Sequence, residues 1–111
     1  MDIKEKRKHI LELCSESEVG SWEFWSGQDK TEVERDQIFQ AIMNLVREKK
    51  IYPIEYATIA DRSYKEASLD AVRLKDELNR SMKSHNVDPR SFYWFLATDE
   101  GKDEDLDLRK R

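Results

Sequence analysis

An α+β domain, with three helices packed on a small two- or three-stranded sheet, is what this sequence predicts. Three observations predict it. Apolar residues recur at helical spacing over 2–15, 30–49 and 63–83. Two further stretches, 51–60 and 91–98, are rich in Ile, Tyr, Phe and Trp and read as strands. Finally, 111 residues with three Gly and two Pro hold one core and no long flexible linker. The division that follows is a single α+β domain over 1–101 and a charged, mobile tail over 102–111.

In the first helix, Ile3, Ile10 and Cys14, with Leu11 and Leu13, form the apolar stripe. Lys4, Lys6, Arg7 and Lys8 crowd its start, the end where the helix dipole favours acids, and read as a solvated basic face. Residues 19–27 carry three aromatics between two glycines and suit a loop or a short helical turn. A strand there would put Trp22 and Phe24 on one face, whereas a helical turn would pair Trp22 with Trp25. The helix over 30–49 is the clearest. Asp29-Lys30-Thr31-Glu32 is a capping box with Asp29 as cap, and Thr31 is the second candidate. Glu32, Glu34 and Asp36 at its start and Arg47, Lys49 and Lys50 at its end match the macrodipole. Ile38, Ile42, Leu45 and Val46, widened by Phe39 and Met43, form the face it buries.

Tyr52, Ile54, Tyr56 and Thr58 share one parity, so 51–60 reads as a strand, with a helix from Thr58 onward as the competing reading. Pro53 lacks a donor and assigns that strand to an edge or a strand start. Ser63-Tyr64-Lys65-Glu66 is a capping box for the third helix, whose inner face is Ala67, Ala71, Leu74, Leu78 and Met82, broadened by Leu69 and Val72. Residues 91–98 are apolar on both parities, as in a strand covered on both faces. Asp99-Glu100-Gly101 then turns the chain. A parallel crossover and an antiparallel pair both fit the two strands.

Composition narrows the function. Twenty-four acids against 20 bases give a net charge of -4, so bulk charge does not draw the chain to nucleic acid or anionic lipid. A mean hydropathy of -0.90 is compatible with disorder, but the clustered aromatics argue for a packed core. No run of about 18 apolar residues exists, so no membrane-spanning helix is expected. The charged start is unlike a secretory signal, and the single Cys14 makes no internal disulfide. Together they point to the reducing cytoplasm, with Cys14 a buried, inert thiol.

Catalytic constellations are missing. His9 and His85 stand far apart and His85 reads as an exposed loop residue, so a zinc site lacks ligands. No phosphate-binding loop, dinucleotide fingerprint or nucleophile elbow occurs, and the acids from Asp99 to Asp105 lack EF-hand spacing. No enzyme activity, no cofactor and no metal is expected. Three basic groups, 4–8, 47–50 and 109–111, would contact phosphates if they met on one face. The outer face of the third helix mixes Lys65, Asp70, Arg73, Asp76, Glu77 and Arg80, whose acids phosphate would repel. A winged-helix-like DNA-binding regulator is therefore the second reading and a protein-binding module the first. Its candidate contacts are Trp22 and Trp25, favoured anchor types that equally suit core sealing. With them stand Asp99, Glu100, Asp103, Glu104 and Asp105, suited to a basic partner.

The carboxyl end reads Trp94-Phe95-Leu96-Ala97-Thr98-Asp99-Glu100-Gly101. A strand of the form Trp-Phe-x-x-Thr-x-x-Gly, together with a basic helix end leading into an apolar strand from Arg47 to Ile54, resembles some small bacterial immunity-type proteins. Those proteins neutralise a toxin domain encoded beside them. The resemblance spans about half the chain and implies a cytoplasmic, non-enzymatic protein that binds a cognate toxin. No functional residue carries over, because immunity surfaces differ from pair to pair.

Overall fold

The computed structural model describes residues 2–25, 30–58, 63–83 and 88–110. Among them are four α-helices and one four-stranded sheet, in the order α1 (Ile3–Glu16), β1 (Val19–Gly20), α2 (Glu32–Arg47), β2 (Ile51–Thr58), β3 (Ser63–Glu66), α3 (Ala71–Lys83), β4 (Trp94–Ala97) and α4 (Asp99–Arg109). Short 3-10 turns at Ser21–Glu23 and Pro89–Ser91 follow β1 and precede β4. The α+β class stands, with one helix and at least one strand more than the sequence predicts.

Each helix opens on a side chain that satisfies its orphan amides. Asp2 accepts from the Glu5 amide at 2.9 Å, and Thr31 from the Glu34 amide at 3.1 Å. Thr31 is thus the cap of α2, and the alternative Asp29 lies outside the described residues. Asp70 accepts from the Val72 and Arg73 amides at 2.9 and 3.3 Å, so the third helix starts at Ala71. The capping box at 63–66 does not form. Those residues are β3, paired antiparallel with β2 from Ile54↔Glu66 to Thr58↔Ser63. A hairpin partner within reach outweighs a local capping pattern.

The sheet order is β1-β4-β2-β3 and every pairing is antiparallel. In the register Ile51↔Ala97 to Ile54↔Trp94, Ile51 and Pro53 share a face with Phe95 and Ala97, while Tyr52 and Ile54 share the other with Trp94 and Leu96. The helices bury their stripes on the first face. Ile10, Leu11 and Cys14 of α1, Ile38, Ile42 and Leu45 of α2, and Leu74 and Leu78 of α3 form one cluster with Phe24, Tyr93 and Phe95. Pro53 is not at a sheet edge; β2 is flanked by β4 and β3. Its carbonyl, which accepts from the Ala67 amide at 3.0 Å, faces the β3 side, and its nitrogen faces the same way. The cost is limited to the one reciprocal bond that the Ala67 carbonyl would otherwise accept, just past the end of β3 at Glu66.

Two other expectations change. Residues 102–109 are the body of α4, not a tail. Gly101 lets α4 dock: a Cβ there would lie 2.0 Å from the Lys50 carbonyl oxygen. Glu104 then pairs with Arg7 of α1 and lies 3.8 Å from Lys50 Nζ. Polar attachment of this kind leaves no apolar periodicity in the sequence. Lys6, in turn, is no solvated group. It is 1% exposed, with Nζ 2.7 Å from Glu34 Oε1, and ties α1 to α2 through a buried stem and a paired charge.

Candidate functional site

The second face of the sheet carries a row of aromatic rings. Trp22 meets Trp94 edge-to-face at 5.1 Å, Trp94 meets Tyr56 at 4.9 Å, and Tyr56 meets Tyr64 at 5.7 Å. Neighbouring rings stand 70–88° apart, the geometry that sets a positive edge against a negative face. Four different elements supply them. Tyr56 and Trp94 come from alternate positions of central strands, and Tyr64 from the facing position on β3. Trp22 reaches the row from the 3-10 turn after β1, and Gly20 makes room for it, since a Cβ there would lie 2.3 Å from the indole ring. Tyr56 is the buried member of the row, and Ile54 and Phe92 are buried beside it; all three lie outside the helix-side core. Trp22 and Trp94 are half-buried and Tyr64 is 50% exposed.

At the end of the sheet where β2 enters and β4 leaves, an open hollow of about 570 Å³ draws lining from both faces. Val46, Ile51 and Ala97 contribute apolar lining, and Lys49, Tyr52, Glu66, Asp99 and Lys102 contribute polar groups. Thr98 organises this corner. Its backbone amide donates to the Lys50 carbonyl at 2.9 Å, its hydroxyl donates to the Lys49 carbonyl at 2.6 Å, and the same oxygen caps α4 by accepting from the Gly101 amide at 3.0 Å. The Thr-x-x-Gly segment is therefore a structural joint. Lys49 turns the chain there with φ at 60°, the left-handed conformation that usually falls to Gly after a helix. Burial pushes the Tyr52 phenol up, and Tyr64, Glu66 and Asp99 add to the shift because each disfavours a phenolate beside it.

The predicted contact residues divide. Trp22 joins the aromatic row. Trp25 does not: it packs against the helix-side core and donates from Nε1 to Ser81 Oγ at 3.0 Å. Phe24 is fully buried against Phe95, so Phe24 and Trp25 go to the helix side and Trp22 to the other, a division that neither a strand nor a single helical turn anticipates. Asp99, Glu100 and Asp103 are exposed at the start of α4, and among the described residues none of them forms an ion pair. Glu104 is committed to Arg7, which holds its carboxyl below the usual carboxylate range. Asp105 is buried and paired with Arg109 at 3.0 Å. Sequence reasoning passed over Tyr56, Tyr64 and Trp94. Their signal was the alternation Tyr52, Ile54, Tyr56 facing the Trp94, Leu96 parity.

Some of the basic residues that suggested phosphate contacts are spent inside the molecule. Lys6 pairs with Glu34, Arg7 with Glu48 and Glu104, and Arg109 with Glu16 and Asp105. Cys14 is buried, which pushes its thiol up and leaves it a poor nucleophile. Glu77, fully buried, works as a clamp. One carboxylate oxygen accepts from the Ser21 hydroxyl at 2.6 Å and the Tyr93 amide at 3.0 Å, the other from Arg73 Nε at 3.0 Å. Burial pushes its carboxyl up, and those donors pull the other way. Among the described residues no three His, Cys, Asp or Glu side chains converge as a metal site would require, and no helix is long and apolar enough to cross a membrane. His85 lies outside the described residues.

No family model, no curated protein and no solved structure matches this chain.

Proposed function

We propose that the chain is a non-enzymatic protein-binding module of the immunity type, which occludes a basic toxin domain in the cytoplasm and does no chemistry of its own. The observation that carries this reading is the aromatic row Trp22–Trp94–Tyr56–Tyr64 on the face of the sheet opposite the helix-side core. Half-exposed Trp and Tyr held rigid by edge-to-face contacts offer a large contact area at low cost in side-chain entropy. Glu66 and Asp99, which flank Tyr52 at the end of that face, are acids suited to cations on a partner, and Glu100 and Asp103 are exposed on the first turns of α4. The resemblance of the Trp-Phe-x-x-Thr-x-x-Gly segment to immunity-type proteins supports the same reading.

The experiment is co-expression with the protein encoded by the neighbouring gene. The two proteins are expected to co-purify, the chain is expected to protect cells from that protein, and Trp22→Ala is expected to weaken binding at least about tenfold as a hot-spot anchor. Binding to duplex DNA with a steep salt dependence, and none to the neighbour, overturns the reading in favour of a regulator.

A further inference from the structure

The sheet has two edges, and they are finished differently. At β1 the ladder is two residues long and both are buried. The Ser21 amide donates to the Tyr93 carbonyl, so by alternation the Gly20 amide points away from β4. That outward donor is taken by Glu23 at 2.7 Å, and the 3-10 turn follows at once. Nothing can add there. At β3 the ladder is four residues long and all four are exposed. The Ala67 amide donates to Pro53, so the same alternation turns the amides and carbonyls of Tyr64 and Glu66 outward, away from β2. Among the described residues no strand pairs with that side and no cation pairs with Glu66. Natural sheets seldom leave a straight edge open without a charge or a cover. Here the charges are Lys65 on the helix side and Glu66 on the aromatic side.

We infer that the outer edge of β3 is the docking line of the partner, which adds an extended segment as a fifth strand. This rests on the protein-binding function proposed above and names its mode. The added strand hydrogen bonds to the backbone of Tyr64 and Glu66. Its side chains opposite these two lie on the aromatic face, where an apolar residue continues the row beyond Tyr64 and a Lys or Arg meets Glu66. An acid or small polar residue faces Lys65 on the other side. A second copy of the chain fits worse: pairing Tyr64 of one copy with Glu66 of the other sets the two Lys65 side chains directly opposite, and like charges so placed are destabilising.

The test uses the full chain and the protein encoded by the neighbouring gene, with binding measured by calorimetry. Glu66→Pro removes one outward donor while leaving the bonds to β2 in place. It is expected to fold, by circular dichroism, and to bind at least about tenfold more weakly than Glu66→Ala. In the wild-type complex, hydrogen exchange at the Tyr64 and Glu66 amides is expected to slow. That measurement decides the matter even if the proline variant does not fold. A neighbour that binds wild type and Glu66→Pro equally, with exchange at these amides unchanged, overturns the docking line and leaves the protein-binding function standing. A neighbour that does not bind wild type overturns both. A wild-type dimer in sedimentation that Glu66→Pro abolishes overturns it in favour of a second copy.

Discussion

The two faces of the sheet use aromatic residues in opposite ways. On the helix side, Phe24, Tyr93 and Phe95 are enclosed, and the Tyr93 hydroxyl that enters with them is bonded: it accepts from the Asp70 amide at 3.0 Å and donates to the Ser68 carbonyl at 2.9 Å. On the other side, Trp22 leans on Trp94, and Trp94 and Tyr64 each lean on Tyr56. The first face is built for burial and the second for rigidity at a surface. The difference teaches that residue type alone does not mark a core. What marks it is whether a second layer is present to receive the side chains.

Substitutions test this contrast at decreasing strength. Phe95→Ala on the enclosed face is expected to lower stability by about 3–5 kcal/mol in urea unfolding, as a truncation that leaves a cavity. Gly101→Ala drives a methyl group onto the Lys50 carbonyl, so α4 must shift, with a loss of about 1–3 kcal/mol seen as a lower midpoint. Glu104→Gln is expected to lose about 1 kcal/mol at pH 7. The sign with pH follows from the direction of the shift. The folded-state value is depressed by Arg7, so the stabilisation is fully present above the ordinary carboxylate range and disappears as pH falls through the depressed value. The gap between wild type and variant in unfolding should therefore be full at pH 7 and narrow steadily as the pH is lowered below the ordinary carboxylate range. Lys49→Gly relieves a left-handed lysine and is expected to raise stability by about 0.5–1 kcal/mol. Smallest of all, Tyr64→Ala on the open face should change stability by no more than about 0.5 kcal/mol while weakening the partner.

Much of the helix side was legible. The stripes Ile10, Leu11, Cys14 and Ile38, Ile42, Leu45 are buried as their spacing predicts, because periodic burial against one layer is written locally. β3 was not legible, since Ser63-Tyr64-Lys65-Glu66 satisfies a helix-cap pattern and only the neighbouring β2 turns it into a strand. α4 was hidden for another reason: Leu108 packs on the core but Leu106 is 55% exposed, and the helix is fixed by Gly101, Thr98 and Glu104 instead. The aromatic row was half legible. Tyr56 and Trp94 fell on the right parities, but Tyr64 needed the hairpin register, and Trp22 needed the turn that lifts it over Gly20.

Pro53 has an effect beyond its own strand. The Ala67 amide finds the Pro53 carbonyl, but the Ala67 carbonyl faces a ring nitrogen that has no hydrogen to give. The imino acid thus halves the last rung of the hairpin, and the full ladder closes at Glu66. Within that ladder Tyr64 stands across from Tyr56, the contact that holds the outermost ring.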